Sequence, residues 1–85
     1  MDNEEILRQL RAEKDAKAYA NRIRIGKELR NQRELCHYTT DIVATKVDIN
    51  EVTVRNIEAG RFAASIDLIS KIAAVYGCEL RVCDN

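Results

Sequence analysis

The chain has 85 residues, with 14 Lys and Arg against 14 Asp and Glu, so its formal net charge is zero. At 46% hydrophobic and 33% charged it lies in the globular range, sized for one small domain with a single modest core, and outside the disordered class. Neutrality argues against strong indiscriminate binding to polyanions, and no apolar run reaches membrane length.

Proline is absent, glycine occurs three times, and the β-branched residues fall at helical spacing. A small, mostly helical domain follows, and a chain of this size gains from an added interface. The three cysteines, Cys36, Cys78 and Cys83, form no CxxC pair, and the only histidine is His37. No zinc site can be assembled at the usual spacings. The odd cysteine count and the lack of a signal-peptide pattern lead us to expect free thiols and a cytoplasmic location.

Residues 4–20 read as a helix with a thin apolar stripe of Ile6, Leu7 and Leu10, dense alanine, and a favourably oriented Glu13–Lys17 pair. With so few large apolar residues, this segment must pack on the domain, pair with a second copy, or stand in solvent. Residues 21–34 continue the helix or start another, capped by Asn21. Ile23, Ile25 and Leu29 give its apolar side. Gly26, costly inside a helix, is expected where a neighbouring helix comes close. This segment carries Arg22, Arg24, Lys27, Arg30 and Arg33 against Glu28 and Glu34, a net charge of +3.

Thr39 is an N-cap for a helix over 40–46, with Asp41 in its first turn and Val43, Ala44 and Val47 facing inward. Asp48 and Ile49 make the turn. Asn50 caps a helix over 51–58, with Val54 and Ile57 inward and Gly60 in a left-handed C-cap position. Two short helices joined this closely are how a helix-turn-helix reads. Ser65 caps a helix over 66–76, buried through Ile66, Ile69, Ile72, Ala73 and Tyr76, and Gly77 ends it. Beyond it, Leu80 and Val82 alternate with polar neighbours as in a half-buried strand. A lone strand lacks partners, so Leu80 and Val82 are expected to pair across a twofold axis in a homodimer.

If the 51–58 helix reads DNA, its exposed positions meet base edges: Glu51, Val52, Thr53, Arg55 and Asn56. Arg55 suits guanine, Asn56 adenine, Thr53 and Val52 a thymine methyl, and Glu51 cytosine. Thr39, Thr40 and Asn50, with helix-terminal amides, suit phosphates, as do Lys46, Arg61, Arg33 and Lys27. The stretch 38–60 has a net charge of −2, which places more weight on the basic 22–34 segment. Glu58 sits late in its helix, where the dipole disfavours a carboxylate, so an ion pair with Arg30 or Arg33 is expected. Neither a catalytic constellation nor a glycine-rich phosphate cradle is present, and no enzyme activity or cofactor is expected.

These residues resemble the Cro/C1-type, or XRE-type, helix-turn-helix regulators. The resemblance is carried by Ile25-Gly26, Leu29-Arg30 and Arg33; Thr39 with Val43-Ala44; Val54 with Ile57-Glu58 and Gly60; and Leu68-Ile69 with Ile72-Ala73 before Gly77. It implies an all-α fold: a compact lambda-repressor-like bundle of four to five helices that binds double-stranded operator DNA as a dimer, usually to repress. It also implies an internal contact between Glu58 and Arg33. The chain then divides into a helical extension over 1–21, a helix-turn-helix domain over 22–77, and a strand or tail over 78–85. The ending YGCELRV resembles the antitoxin and small-repressor branch, which implies a toxin or other regulatory protein as a partner. Thr40 stands where the family often has glutamine, Asp48 where it usually has glycine, and Glu51 where a basic or small polar residue is frequent. The alternative is a protein-interaction module that kept the scaffold and binds DNA weakly or not at all.

Overall fold

A computed structural model describes residues 2–78. It contains four helices: α1 Asn3–Leu35, α2 Thr40–Val47, α3 Glu51–Glu58 and α4 Ile66–Val75. Among the described residues the architecture is all-α. The expected C-terminal strand with Leu80 and Val82 lies outside them.

α1 is a single helix of 33 residues. Asn21 does not cap a second helix. Capping there would require an extended backbone and the loss of several helical hydrogen bonds. Leaving asparagine inside costs less than about 0.7 kcal/mol relative to alanine. Asp2 caps the start, its carboxylate accepting from the Glu5 N–H at 2.8 Å.

The other three helices start on the expected caps. Thr39 accepts from the Ile42 N–H, Asn50 from Val52 and Ser65 from Leu68. Each satisfies one of the amides that a helix start leaves without a partner.

The four ends share one device. A left-handed residue follows each helix, at His37, Asp48, Gly60 and Gly77. The next amide then reaches back five residues: Tyr38 to the Arg33 carbonyl, Ile49 to Ala44, Arg61 to Asn56 and Cys78 to Ala73. This is the Schellman closure. Glycine needs no help to adopt it, and aspartate tolerates it better than most residues. His37, at φ 59°, is the one the sequence did not mark. Histidine enters this region several-fold more often than most residues, but still uncommonly.

The core is Leu29, Val43, Ala44, Val54, Ile57, Ile72, Ala73 and Tyr76. The C-terminal half of α1 packs on α3, while α2 meets both α3 and α4. Ile25, Val47 and Ile69 lie at the margin of this core. Ile66 does not join it and is 70% exposed. As the first residue of α4, it precedes the turns that meet the bundle.

Gly26 sits against the end of α3. A Cβ there would lie 2.5 Å from both the Ile57 and Glu58 carbonyl oxygens. The expected close approach is therefore real, and it is backbone to backbone. Residues 3–20, by contrast, are all exposed. The first half of α1 does not pack on the bundle. It extends the molecule to 53 Å, with Ile6, Leu7, Leu10 and Tyr19 exposed.

Candidate nucleic-acid interface

α3 is held from behind. Val54 and Ile57 are buried in the core. Glu58, at its last position, forms a two-point ion pair with Arg33 of α1, through Nε at 2.8 Å and Nη2 at 3.0 Å. Nη1 of the same guanidinium donates to the Tyr38 carbonyl at 3.0 Å. One side chain thus ties α1, the α1–α2 turn and the end of α3. The Arg33 and Glu58 side chains are only 14% and 9% exposed. The Glu58 hydrogen bonds raise the Arg33 pKa above its usual value, in the direction expected of a charge-assisted pair. Arg30, the other candidate for Glu58, pairs instead with Glu34 at 3.0 Å on the surface of α1.

This arrangement changes the assignment of Arg33. Its donors engage Glu58 and Tyr38, so it acts in the structural role and is poorly placed as a phosphate contact. Lys46 is exposed at the end of α2. Its ammonium lies 5.5 Å from the centre of the Tyr38 ring, and it lines a surface depression with Lys71, Ala74 and Val75.

The exposed side of α3 carries Val52 and Arg55, with Glu51, Thr53 and Asn56 half-buried beside them. Asn50 is exposed at the start, and Arg61 is exposed just past Gly60. The expected base-edge residues therefore share one helix that is anchored on its other side. Two are linked to each other: Arg55 Nη2 donates to Glu51 Oε1 at 2.7 Å. The same oxygen accepts from the Thr40 hydroxyl at 2.8 Å. Thr40 is thus engaged within the protein, and Thr39 serves as the α2 cap. The Thr40 hydrogen bond, followed by the charge of Arg55, holds the Glu51 carboxyl below its ordinary pKa. The Thr40–Glu51 link joins side chains eleven residues apart on two helices, and no spacing rule in the sequence announces it.

Of the basic side chains in 22–34, Arg24 and Lys27 are exposed and form no ion pair among the described residues. Arg22 instead lies 5.5 Å from the centre of the Tyr19 ring, a cation–π distance. Among the described residues no group of three His, Cys, Asp or Glu is arranged to hold a metal ion.

The model of the helix-turn-helix family matches residues 29–82, more than half of the chain. The chain belongs to the Cro/C1-type helix-turn-helix family. The match spans α2, α3 and α4 and the last turns of α1, and so contains Arg33, Glu58 and the exposed side of α3. For a helix-turn-helix member, the geometry marks α3 as the element to enter a groove and α2 as its brace. Membership points to a DNA-binding regulator. No curated protein and no solved structure gives a match. No helix among the described residues is long and apolar enough to cross a membrane.

Proposed function

We propose that this helix-turn-helix protein is a sequence-specific transcriptional regulator, cytoplasmic and homodimeric, that represses by occupying an operator. The observation that carries the reading is the two-sided construction of α3. Its inner side is fixed by Val54, Ile57 and Glu58, while Val52 and Arg55 stand exposed. Arg55 and Asn56 are the principal base contacts, with Thr53 and Val52 supplying apolar contact to thymine. Asn50 and Arg61 with the exposed Arg24 and Lys27 are the candidate phosphate contacts.

The test is a titration of a short-fragment duplex library with purified protein at roughly 50 mM salt, followed by sequencing of the bound fraction. An enriched site with twofold symmetry is expected. If no fragment is enriched and no duplex shows salt-dependent binding, the reading fails.

The dimer draws support from the free arm of α1. Leu7, Leu10, Lys14 and Lys17 recur along one stripe, and Asp2, Glu4 and Glu5 crowd its start. Two arms laid antiparallel about the midpoint of Leu7 and Leu10 set Leu7 of one copy level with Leu10 of the other. The same register sets Lys14 of one copy level with Asn3 of the other, between Asp2 and Glu4. Deleting residues 1–20 should leave the bundle folded, because none of residues 2–20 is buried, and should shift the protein to monomer in sedimentation. A truncated protein that remains dimeric would place the interface elsewhere.

A second reading is favoured by the same arm together with the chain's neutral charge. It makes the scaffold a partner-binding module, with an adjacent toxin as one such partner. Absence of duplex binding, with retention of a protein partner through residues 1–20, would select it.

A further inference from the structure

Glu51 presents a chemical problem for a helix that meets DNA. It is the first residue of α3 and carries a negative charge toward a phosphate-rich partner. Its contacts suggest what that charge is for. One carboxylate oxygen, Oε1, accepts from the Thr40 hydroxyl at 2.8 Å and from Arg55 Nη2 at 2.7 Å. A carboxylate oxygen has two lone pairs, so a single atom can take both. The three side chains form a relay from α2, across the turn, to the middle of α3.

The relay is graded in exposure. The Glu51 side chain is 34% exposed and that of Arg55 is 66% exposed. Thr40 is half-buried against the scaffold. The inner end is therefore fixed by the fold and the outer end is the arginine that solvent reaches. A bond between Glu51 and Arg55 alone would be an ordinary pair one turn apart on a helix. The third member, on another helix, makes the difference. It restrains the glutamate, and the glutamate then restrains the arginine.

We propose that Glu51 is a positioning residue, which passes the rigidity of α2 through Thr40 to the Arg55 guanidinium and sets that fork to read guanine. The inference rests on the DNA-reading function proposed above. An arginine has five donors in a plane, and the relay uses one of them. The remaining donors can still meet the O6 and N7 acceptors of guanine. Restraining the fork before binding reduces the side-chain freedom lost in the complex. The shared contact also offsets the glutamate's charge, which explains how an acid is tolerated at this position. The lowered pKa of Glu51, for which Thr40 is the largest cause, agrees with a carboxylate held charged in this network.

Four variants, assayed against the enriched site and a scrambled duplex, test the assignment. Replacing the guanine opposite Arg55 should weaken wild-type binding roughly 5- to 150-fold, as for a bidentate contact. Arg55→Ala should abolish that preference. Glu51→Ala should cut it about tenfold or to the limit set by the wild-type value, while affinity for the scrambled duplex rises because an acid has been removed. Glu51→Gln keeps an acceptor oxygen for both neighbours and should retain the preference. Thr40→Val leaves every charge in place, so it should lower the preference with scrambled-duplex affinity unchanged. Thermal stability is measured on each, since a purely structural role would move stability and leave base preference alone. Preference within twofold of wild type in both Glu51→Ala and Thr40→Val overturns the relay and leaves the regulator intact. A wild-type protein that enriches no site overturns both.

Discussion

Gly26→Ala separates what a helix prefers from what this fold permits. By propensity alone, alanine should stabilise α1 by about 1 kcal/mol. The structure opposes this. The new Cβ would sit 2.5 Å from the Ile57 and Glu58 carbonyl oxygens and 2.9 Å from the Glu58 carbonyl carbon. An ordinary carbon–oxygen contact begins at about 3.3 Å, so the helices must part by roughly 0.8 Å. The carbonyls are not free to swing aside, because the Ile57 oxygen already accepts from the Gly60 N–H at 3.1 Å. The Arg33–Glu58 pair bridges the same interface and would be stretched with it. Overpacking against such a boundary costs about 3 kcal/mol, the upper part of its usual range, leaving a net loss near 2 kcal/mol. For a domain of this size, that lowers the melting temperature by about 8–16 °C. Urea denaturation followed by circular dichroism measures the change. Gly77→Ala is the control: Gly77 has φ 72°, but among the described residues, its chain neighbours aside, no atom lies within 4 Å of an added Cβ. It should lose only the torsional cost, about 1–2 kcal/mol. A Gly26→Ala protein as stable as wild type, or more so, would refute the close contact between α1 and α3.

Two further outcomes follow from buried polar groups. Glu58→Ala leaves the Arg33 guanidinium without its partner at 14% exposure. It should cost about 2–4 kcal/mol in chemical denaturation, somewhat less than a fully buried pair, while Arg33→Met with Glu58→Met should recover most of that loss. Tyr76 is pushed up to about 12 chiefly by burial, and its hydroxyl has no hydrogen-bond partner among the described residues. A raised folded-state pKa keeps its stability contribution intact below about pH 10, where the unfolded phenol begins to ionise, and loses it as pH rises toward the folded value. Denaturation midpoints should therefore fall between pH 10 and 12, and less steeply in Tyr76→Phe. At neutral pH that variant should match wild type or slightly exceed it, because it removes a buried hydroxyl that has no partner among the described residues.

Local chemistry made much of the fold legible before any coordinates. Thr39, Asn50 and Ser65 mark helix starts because each carries a short acceptor that the backbone lacks. Gly26 marks a close approach between helices, and Gly60 marks a left-handed helix end. An ion pair of Glu58 with Arg30 or Arg33 was legible from an acid at an unfavourable helix end and a basic segment nearby, and the family resemblance implied Arg33. What stayed hidden depends on position in space. Nothing in the spacing of Ile66 reveals that its turn precedes the bundle. His37 takes a left-handed conformation because the closure of α1 requires one, and histidine is only a weak signal for it. That Lys46 lies over the Tyr38 ring could not be read from their spacing. Thr40, Glu51 and Arg55 were each assigned to DNA separately, since a hydrogen bond between helices leaves no periodic trace.

The unbroken course of α1 gives the molecule a mechanical phase. Each residue added or removed in a helix turns everything beyond it by about 100° and advances it about 1.5 Å. A single alanine inserted near Asn21 would swing the Leu7–Leu10 stripe around the axis while the α3 surface stayed still. Seven inserted residues would nearly restore the azimuth, at about 20° short of two full turns, and lengthen the arm by about 10.5 Å. If the arms join two copies, the residue count between Leu10 and Gly26 sets the angle and separation at which paired α3 helices meet the duplex. Insertions in this helix would then retune half-site geometry with the 3.6-residue period of the helix, while every residue that touches DNA remained unchanged.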